Sequence, residues 1–293
     1  MSTSRYDKSI KWMLWITGIL IFLLILSVIR RPPAQPWLRS DGPRIGVVEI
    51  KGLIIDSRRI VRQLDQFSRR EDIAAILVRI NSPGGTVAAS QEIYEKLRKI
   101  REKGTKPIIA SLGTLAASGG LYVALGADTI MANPGTATGS IGVILDYPVA
   151  TDLLEKIGIR MEVIKSGPLK DAGSPYRTPD EADRRSFQRV IDDLFEQFTQ
   201  VVARERQLSM DRVKELATGE IFTGREALAL GLVDLLGGFE DALNLAGALT
   251  GNLDRPVIIR PVEPQRWSLR RYLLGNEFGQ SWYPQLMPQY RMR

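Results

Sequence analysis

The chain has 293 residues, 44% of them apolar and 25% charged, which is room for one large domain with its own core. It contains no cysteine and no histidine, which excludes disulfide frameworks, iron–sulfur clusters and zinc–thiolate sites and removes the commonest general base. The net charge of +7 sits in the flanks, with +5 in residues 1–44 and +4 in 256–293, leaving −2 for 45–255; no nucleic-acid face is expected, and the basic ends suit anionic lipid headgroups.

In chain order, residues 1–11 read as a short cytoplasmic N-terminus. Trp12 to Ile29, "WMLWITGILIFLLILSVI", is an uncharged run of eighteen residues, at the lower limit for crossing ~30 Å of hydrocarbon. Lys8 and Lys11 precede it, Arg30 and Arg31 follow it, and Trp12 and Trp15 suit the headgroup belt. A cleaved signal peptide has a shorter apolar core and a small-residue cleavage site. Here "IRRPPAQPW" follows, so the run reads as an uncleaved transmembrane anchor. Basic residues on both sides leave its orientation open by charge alone. Residues 30–43, rich in proline, read as a stiff extended linker.

A strand-like run, "RIGVVEIKGLI" (44–54), opens the folded body. Ser57 to Arg70 has Ile60, Val61, Leu64 and Phe67 at helical spacing. "IAAILVRI" (73–80) reads as a buried strand ending at the turn "NSPGG" (81–85). An amphipathic helix follows over 86–104, closed by Gly104, and then the apolar strand "KPIIASLG" (106–113). Further helical patterns recur at 151–158, 180–206, 210–217 and 225–231. Strands alternating with helices at this spacing predict an α/β fold with right-handed crossovers. From about 251 the chain changes to a basic, aromatic, proline-containing tail with at most one short helix near 267–275. The tail reads as an appendage that lies on a membrane or docks on the body.

The chemistry concentrates at three glycine-bearing turns. "INSPGGTV" joins a strand to a helix, and adjacent glycines there can aim backbone N–H groups at a developing oxyanion. "GTLAASGGLYVA" (113–124) sets Ser118 at the mouth of a second strand-to-helix turn, where a helix N-terminus favours negative charge. The pattern is not the Gly-x-Ser-x-Gly elbow, so the α/β-hydrolase fold is not implied. Without histidine the proton of Ser118 needs another acceptor. "VIKSGPLKDAGSPYR" offers Lys165 and Lys170 in a loop rich in glycine and proline, and Lys165 fits the end of a strand. A lysine acts as a base only when neutral, which requires a depression of ~3 pKa units that apolar burial can supply. "TATGSIGVI" (136–144) supplies Ser140 as a hydroxyl to orient the amine. Spacing alone does not choose between the two lysines.

Five motifs, "NSPGG", "SLGTLAASGGLYVA", "TATGSIGVI", "KSGPLKDAGSP" and "GEIFTGREALALGLVDLLGG", stand here in the order and approximate spacing of the bacterial signal peptide peptidase A (SppA) family. The resemblance covers about Arg44 to Leu249 and is to the short form with one catalytic domain. It implies a membrane-anchored Ser/Lys protease domain over 44–250 with the ClpP/crotonase-like spiral of repeated β-β-α units, followed by the tail 251–293. Position by position it implies Ser118 as nucleophile, Lys170 as general base, Ser140 as the hydroxyl on the lysine, and Gly85 and Gly119 as oxyanion-hole donors. It further implies peptide substrates, namely remnant signal peptides cut within the membrane, and no metal or cofactor. A ring-shaped homo-oligomer is expected, an octamer, with Lys170 supplied by the neighbouring protomer. The catalytic domain is expected on the extracytoplasmic side of a bacterial inner membrane, with lipid as a further partner. The rival readings are an SppA-like protease acting on other membrane proteins, a crotonase-type acyl-CoA enzyme, and a tethered scaffold without activity.

Overall fold

A computed structural model describes residues 12–23, 44–251 and 256–261, and the backbone of 289–291. The chain divides into two units, Met1–Asp41 and Gly42–Arg293. In the first, residues 12–23 form helix α1. Among the described residues no helix is long and apolar enough to cross a membrane. The rest of the expected 12–29 span, the linker 30–43 and the helix expected near 267–275 lie outside the described residues.

The second unit opens with β1 (Arg44–Lys51), α2 (Arg58–Arg69), β2 (Ile73–Ser82), β3 (Gly84–Thr86), α3 (Val87–Glu102), β4 (Ile108–Ala117), α4 (Gly119–Ala124), β5 (Thr129–Ala132) and β6 (Ala137–Gly139). It continues through α5 (Thr151–Lys156), α6 (Glu181–Arg206), α7 (Met210–Leu216), β7 (Ile221–Thr223), α8 (Gly224–Ala229), β8 (Leu235–Leu236), α9 (Phe239–Leu249), β9 (Val257–Ile259) and β10 (Gln289–Arg291). The main sheet runs β7-β6-β4-β2-β1-β9, with β5 beside the first half of β4 and β8 beside β5. Its pairings are parallel except β6 with β7.

The long strands are buried on both faces, as their nearly continuous apolar runs require of a parallel sheet. Val48, Ile50, Ile76, Val78, Ile80, Ala110 and Leu112 pack with residues of α2, α3, α4 and α6 in the larger core. The alternate residues Ile45, Val47, Ala75, Leu77 and Ile109 pack against Ala242, Leu243 and Ala246 of α9 in a second layer. The α/β class expected from the pattern therefore holds. The six helices read between residues 57 and 231 are present within a few residues of their expected ends, and α6, α7 and α8 start on local side-chain caps. Asp180 accepts the N–H groups of Ala182 and Asp183 while the Asp183 carboxylate accepts the N–H of Asp180, a reciprocal cap that starts α6. Thr223 and Glu226 do the same for α8.

Two expectations are corrected or sharpened. Lys165 does not end a strand: residues 159–165 form neither strand nor helix. Among the described residues nothing pairs with this stretch, and an unpaired strand leaves its backbone groups without partners. Among the described residues the tail docks onto the body at two points, the first being β9, which adds to the main sheet beside β1. Strand β10 pairs antiparallel with β3, setting Gln289 opposite Thr86, Tyr290 opposite Gly85 and Arg291 opposite Gly84.

Candidate active site

Three neighbouring strand ends bring the glycine-bearing turns together. β2 runs into β3 at Gly84–Thr86, β4 ends at Ala117, and β6 ends at Gly139. The pairings Ser82↔Ala116 and Ala117↔Gly139 place these ends side by side. Ser118 follows β4 directly and caps α4, while Ser140 follows β6. The Ser118 N–H donates to the Gly139 carbonyl at 2.8 Å, so the two candidate serines flank one hydrogen bond. Gly120 lets α4 sit on the end of β2, since a Cβ there would lie 2.9 Å from the Ser82 carbonyl oxygen.

Both serines are in the left-handed region, Ser118 at φ 53° and ψ −117° and Ser140 at φ 51°. A non-glycine residue held there costs about 1–3 kcal/mol and persists only where its surroundings over-determine it. Here the surroundings are specific. Tyr122 N–H donates to the Ser118 carbonyl at 2.9 Å, and Ser140 N–H donates to the Glu220 carbonyl at 2.6 Å. The Thr138 hydroxyl donates to the Ala116 carbonyl at 2.6 Å, tying β6 to β4 beneath the turn. Helix α4 is in turn fixed by Tyr122, whose ring meets Tyr94 edge-on at 5.2 Å and Phe198 at 5.0 Å. Burial pushes the Tyr122 hydroxyl up to about 12, so it stays protonated and serves packing rather than proton transfer.

The Ser118 side chain is fully buried, and its Oγ has no hydrogen-bond partner among the described residues. A buried hydroxyl without a partner costs about 1–3 kcal/mol. Such an oxygen at a strained turn is the mark of a group held for reaction rather than for stability. α4 has six residues, so the favourable helix end expected at Ser118 reduces to its first N–H groups, Gly119 among them, which have no intrahelical acceptor.

Gly85 lies across from α4 on β3 and is buried. A Cβ at Gly85 would lie 2.1 Å from the Ile54 carbonyl oxygen, so only glycine permits the bridge between Ile54 and Gly85. Replacing Gly85 with alanine is expected to push β3 away from Ser118 and, if the Gly85 N–H serves as an oxyanion donor, to lower kcat/KM by about a hundred- to a thousandfold. Steady-state kinetics on the folded variant checks this; unchanged turnover would remove Gly85 from the site.

Among the described residues no contact brings Lys170 to Ser118. It is exposed, in a turn where its N–H donates to the Gly167 carbonyl at 3.2 Å. Lys165 is engaged elsewhere, donating to Pro168 O at 3.0 Å and to Asp171 Oδ1 at 2.7 Å. Arg177 first and Lys165 second hold the Asp171 carboxyl down at about 2. The segment around Lys170 also exposes apolar side chains: Leu153, Ile157, Met161, Val163 and, at 96% exposure, Ile164. Among the described residues no group of three or more carboxylates is placed to hold a metal ion. Sequence reasoning missed the strain at Ser118 and Ser140, for which a single chain carries no signal. It also missed Arg177, although "PDEAD" at 179–183 advertises the cap to which Arg177 binds.

Known proteins match this chain in two overlapping ways. The family description "Peptidase family S49" matches residues 100–252, and "Clp protease" matches 53–138. A Synechocystis protein provisionally named a protease is 44% identical, over 82% of this chain and 87% of its own length. An Enterococcus faecium protein provisionally named signal peptide peptidase SppA is 38% identical, over 70% of this chain and 63% of its own. Protease 4 of Haemophilus influenzae is 34% identical over 70% of this chain, which spans only 35% of that longer protein.

Proposed function

This chain belongs to peptidase family S49, and from that premise we propose that it is a serine endopeptidase whose nucleophile is Ser118 and whose base is Lys170. The observation that carries the reading is the buried, unpartnered Oγ of Ser118 on a positive-φ turn between Gly139 and α4. A hydroxyl kept without a partner inside its own chain awaits one from outside.

In the proposed reaction, neutral Lys170 Nζ takes the Ser118 proton as Oγ attacks the scissile carbonyl carbon. The carbonyl oxygen becomes an oxyanion held by the N–H groups of Gly85 and Gly119. The C–N bond breaks as the lysine passes its proton to the leaving amine. Water, deprotonated by Lys170 Nζ, then attacks the ester, and the lysine returns that proton to Ser118 Oγ as the acid is released. Ser140 Oγ orients the amine. A lysine base must be dehydrated to stay neutral, and an exposed loop cannot do that for itself. Lys170 therefore enters the site of an adjacent copy in a ring-shaped homo-oligomer, an octamer by family resemblance. The exposed apolar residues that surround it supply the interface. The repeated β-β-α spiral of the ClpP/crotonase superfamily is the frame for this arrangement.

Substrates are extended peptides with apolar side chains. The edge of β3 already accepts an antiparallel strand from residues 289–291, so main-chain pairing next to Gly85 is a usable recognition mode. Taken with the name of the Enterococcus relative and the apolar 12–29 run, this points to remnant signal peptides at a bacterial inner membrane. The catalytic domain would then face the extracytoplasmic side.

A serine-reactive fluorophosphonate tests the chemistry directly. Wild type is expected to be labelled at Ser118, Ser118→Ala not at all, and Lys170→Ala more slowly by about a hundredfold or more. Labelling of Ser118→Ala at the wild-type rate would sink the reading.

A further inference from the structure

The loop that carries Lys170 is tied to the body through one guanidinium. Arg177 Nη2 donates to Asp171 Oδ1 at 3.0 Å and to Asp183 Oδ1 at 2.7 Å, and its Nη1 donates to Asp183 Oδ2. Asp183 is fully buried in the first turn of α6, where its carboxylate also accepts the Asp180 N–H at 3.0 Å. The same helix buries Phe198, Val201 and Val202 in the core. Asp171 is the residue after Lys170, and its side chain, 11% exposed, turns inward while Lys170 turns outward. A single planar fork thus joins the position beside the proposed base to a rigid helix end.

We propose that Arg177 is a positioning residue for Lys170, clamping Asp171 to Asp183 so that the loop presents the lysine at one fixed place. The inference rests on the reading of Lys170 as the base. Its physical reason is tolerance. Proton transfer demands a donor–acceptor distance held within a fraction of an ångström, and residues 165–177 contain no helix or strand to provide that. Arginine suits the task because its fork can hold two carboxylates at fixed angles, whereas a lysine ammonium is a point charge. Arg177 also holds the Asp183 carboxyl below the ordinary range, as it does Asp171. For depressed carboxyls the stabilisation is complete above the unfolded values and lost as pH falls through the folded ones. The clamp is therefore intact at any pH above about 4, where such carboxyls ordinarily titrate.

The experiment uses the full chain in detergent and measures kcat and KM on a fluorogenic apolar peptide, beside the melting temperature. Asp171→Asn leaves Arg177 on Asp183 and weakens the contacts of Asp171 with Arg177 and Lys165, so it guards against a variant that merely unfolds. Asp171→Asn and Arg177→Ala are each expected to lose about ten- to a hundredfold in kcat, with KM within about twofold of wild type. Arg177→Lys is expected to recover part of that loss. Wild-type kcat in both Asp171→Asn and Arg177→Ala, with Lys170→Ala inactive, overturns the clamp and leaves the base assignment standing. So does a loss of activity that vanishes when corrected for the folded fraction. An active Lys170→Ala chain overturns the base assignment and the clamp with it.

Discussion

Ser118→Gly is expected to melt several degrees above wild type while hydrolysing nothing. Ser118 sits at φ 53° and ψ −117°, a conformation that glycine adopts freely and serine does not. Relief of about 1–3 kcal/mol of backbone strain is joined by removal of a buried hydroxyl that has no partner. Against this stands the greater freedom that glycine gives the unfolded chain, about 0.5–1 kcal/mol. The balance favours the variant, and each kcal/mol moves the midpoint by about 2–4 °C in a domain of this size. Ser118→Ala removes the hydroxyl but keeps the strain, so its midpoint is expected to lie between the other two. Loss of the nucleophile should cost at least about ten-thousandfold in kcat. Calorimetry beside peptide hydrolysis measures both effects. A glycine variant less stable than the alanine one would show that the turn is not strained, and the argument from strain to catalysis would fail.

The second large effect concerns the lysine. Ser118→Ala and Lys170→Ala chains are each expected to be inactive alone and to regain activity when disassembled and reassembled together. Around a head-to-tail ring, random one-to-one mixing pairs an intact serine with an intact neighbouring lysine at about a quarter of all positions. About a quarter of wild-type activity is therefore expected. The reason is the contrast between a proposed nucleophile buried without a partner among the described residues and a proposed base left exposed beside several exposed apolar side chains. A dyad completed within one chain gives no recovery in confirmed mixed rings, and that result would retire the shared-site reading. Mixing wild type with a Ser118→Ala/Lys170→Ala chain controls for simple dilution.

Much of the molecule was legible from its residues because the signals are local. The absence of histidine and cysteine narrowed the base to lysine, aspartate, glutamate or tyrosine before any fold was known. Apolar runs at 73–80 and 106–113, each followed by glycines, marked buried strands feeding tight turns, and both are strands in the folded chain. Helix α6 was read from the helical pattern over 180–206, and the cap of Asp180 and Asp183 that starts it lies within four residues. The short strands β5 to β9 were not legible. Two to four residues hold as strands only because a neighbouring strand pairs with them. The stretch ending at Lys165 shows the converse: alternating side chains read as a strand, and without a partner it forms none.

The order of residues supplies the groups: one serine among glycines, two lysines in one loop, a second serine after a glycine, and an apolar N-terminal run. The folded arrangement sets how they are held. It forced Ser118 and Ser140 into strained turns at adjoining strand ends, turned Lys165 onto Asp171, and left Lys170 outward beside a carboxylate clamped by Arg177. Those outcomes depend on strand register and on contacts between residues far apart in the chain, and no pattern within a short window encodes them.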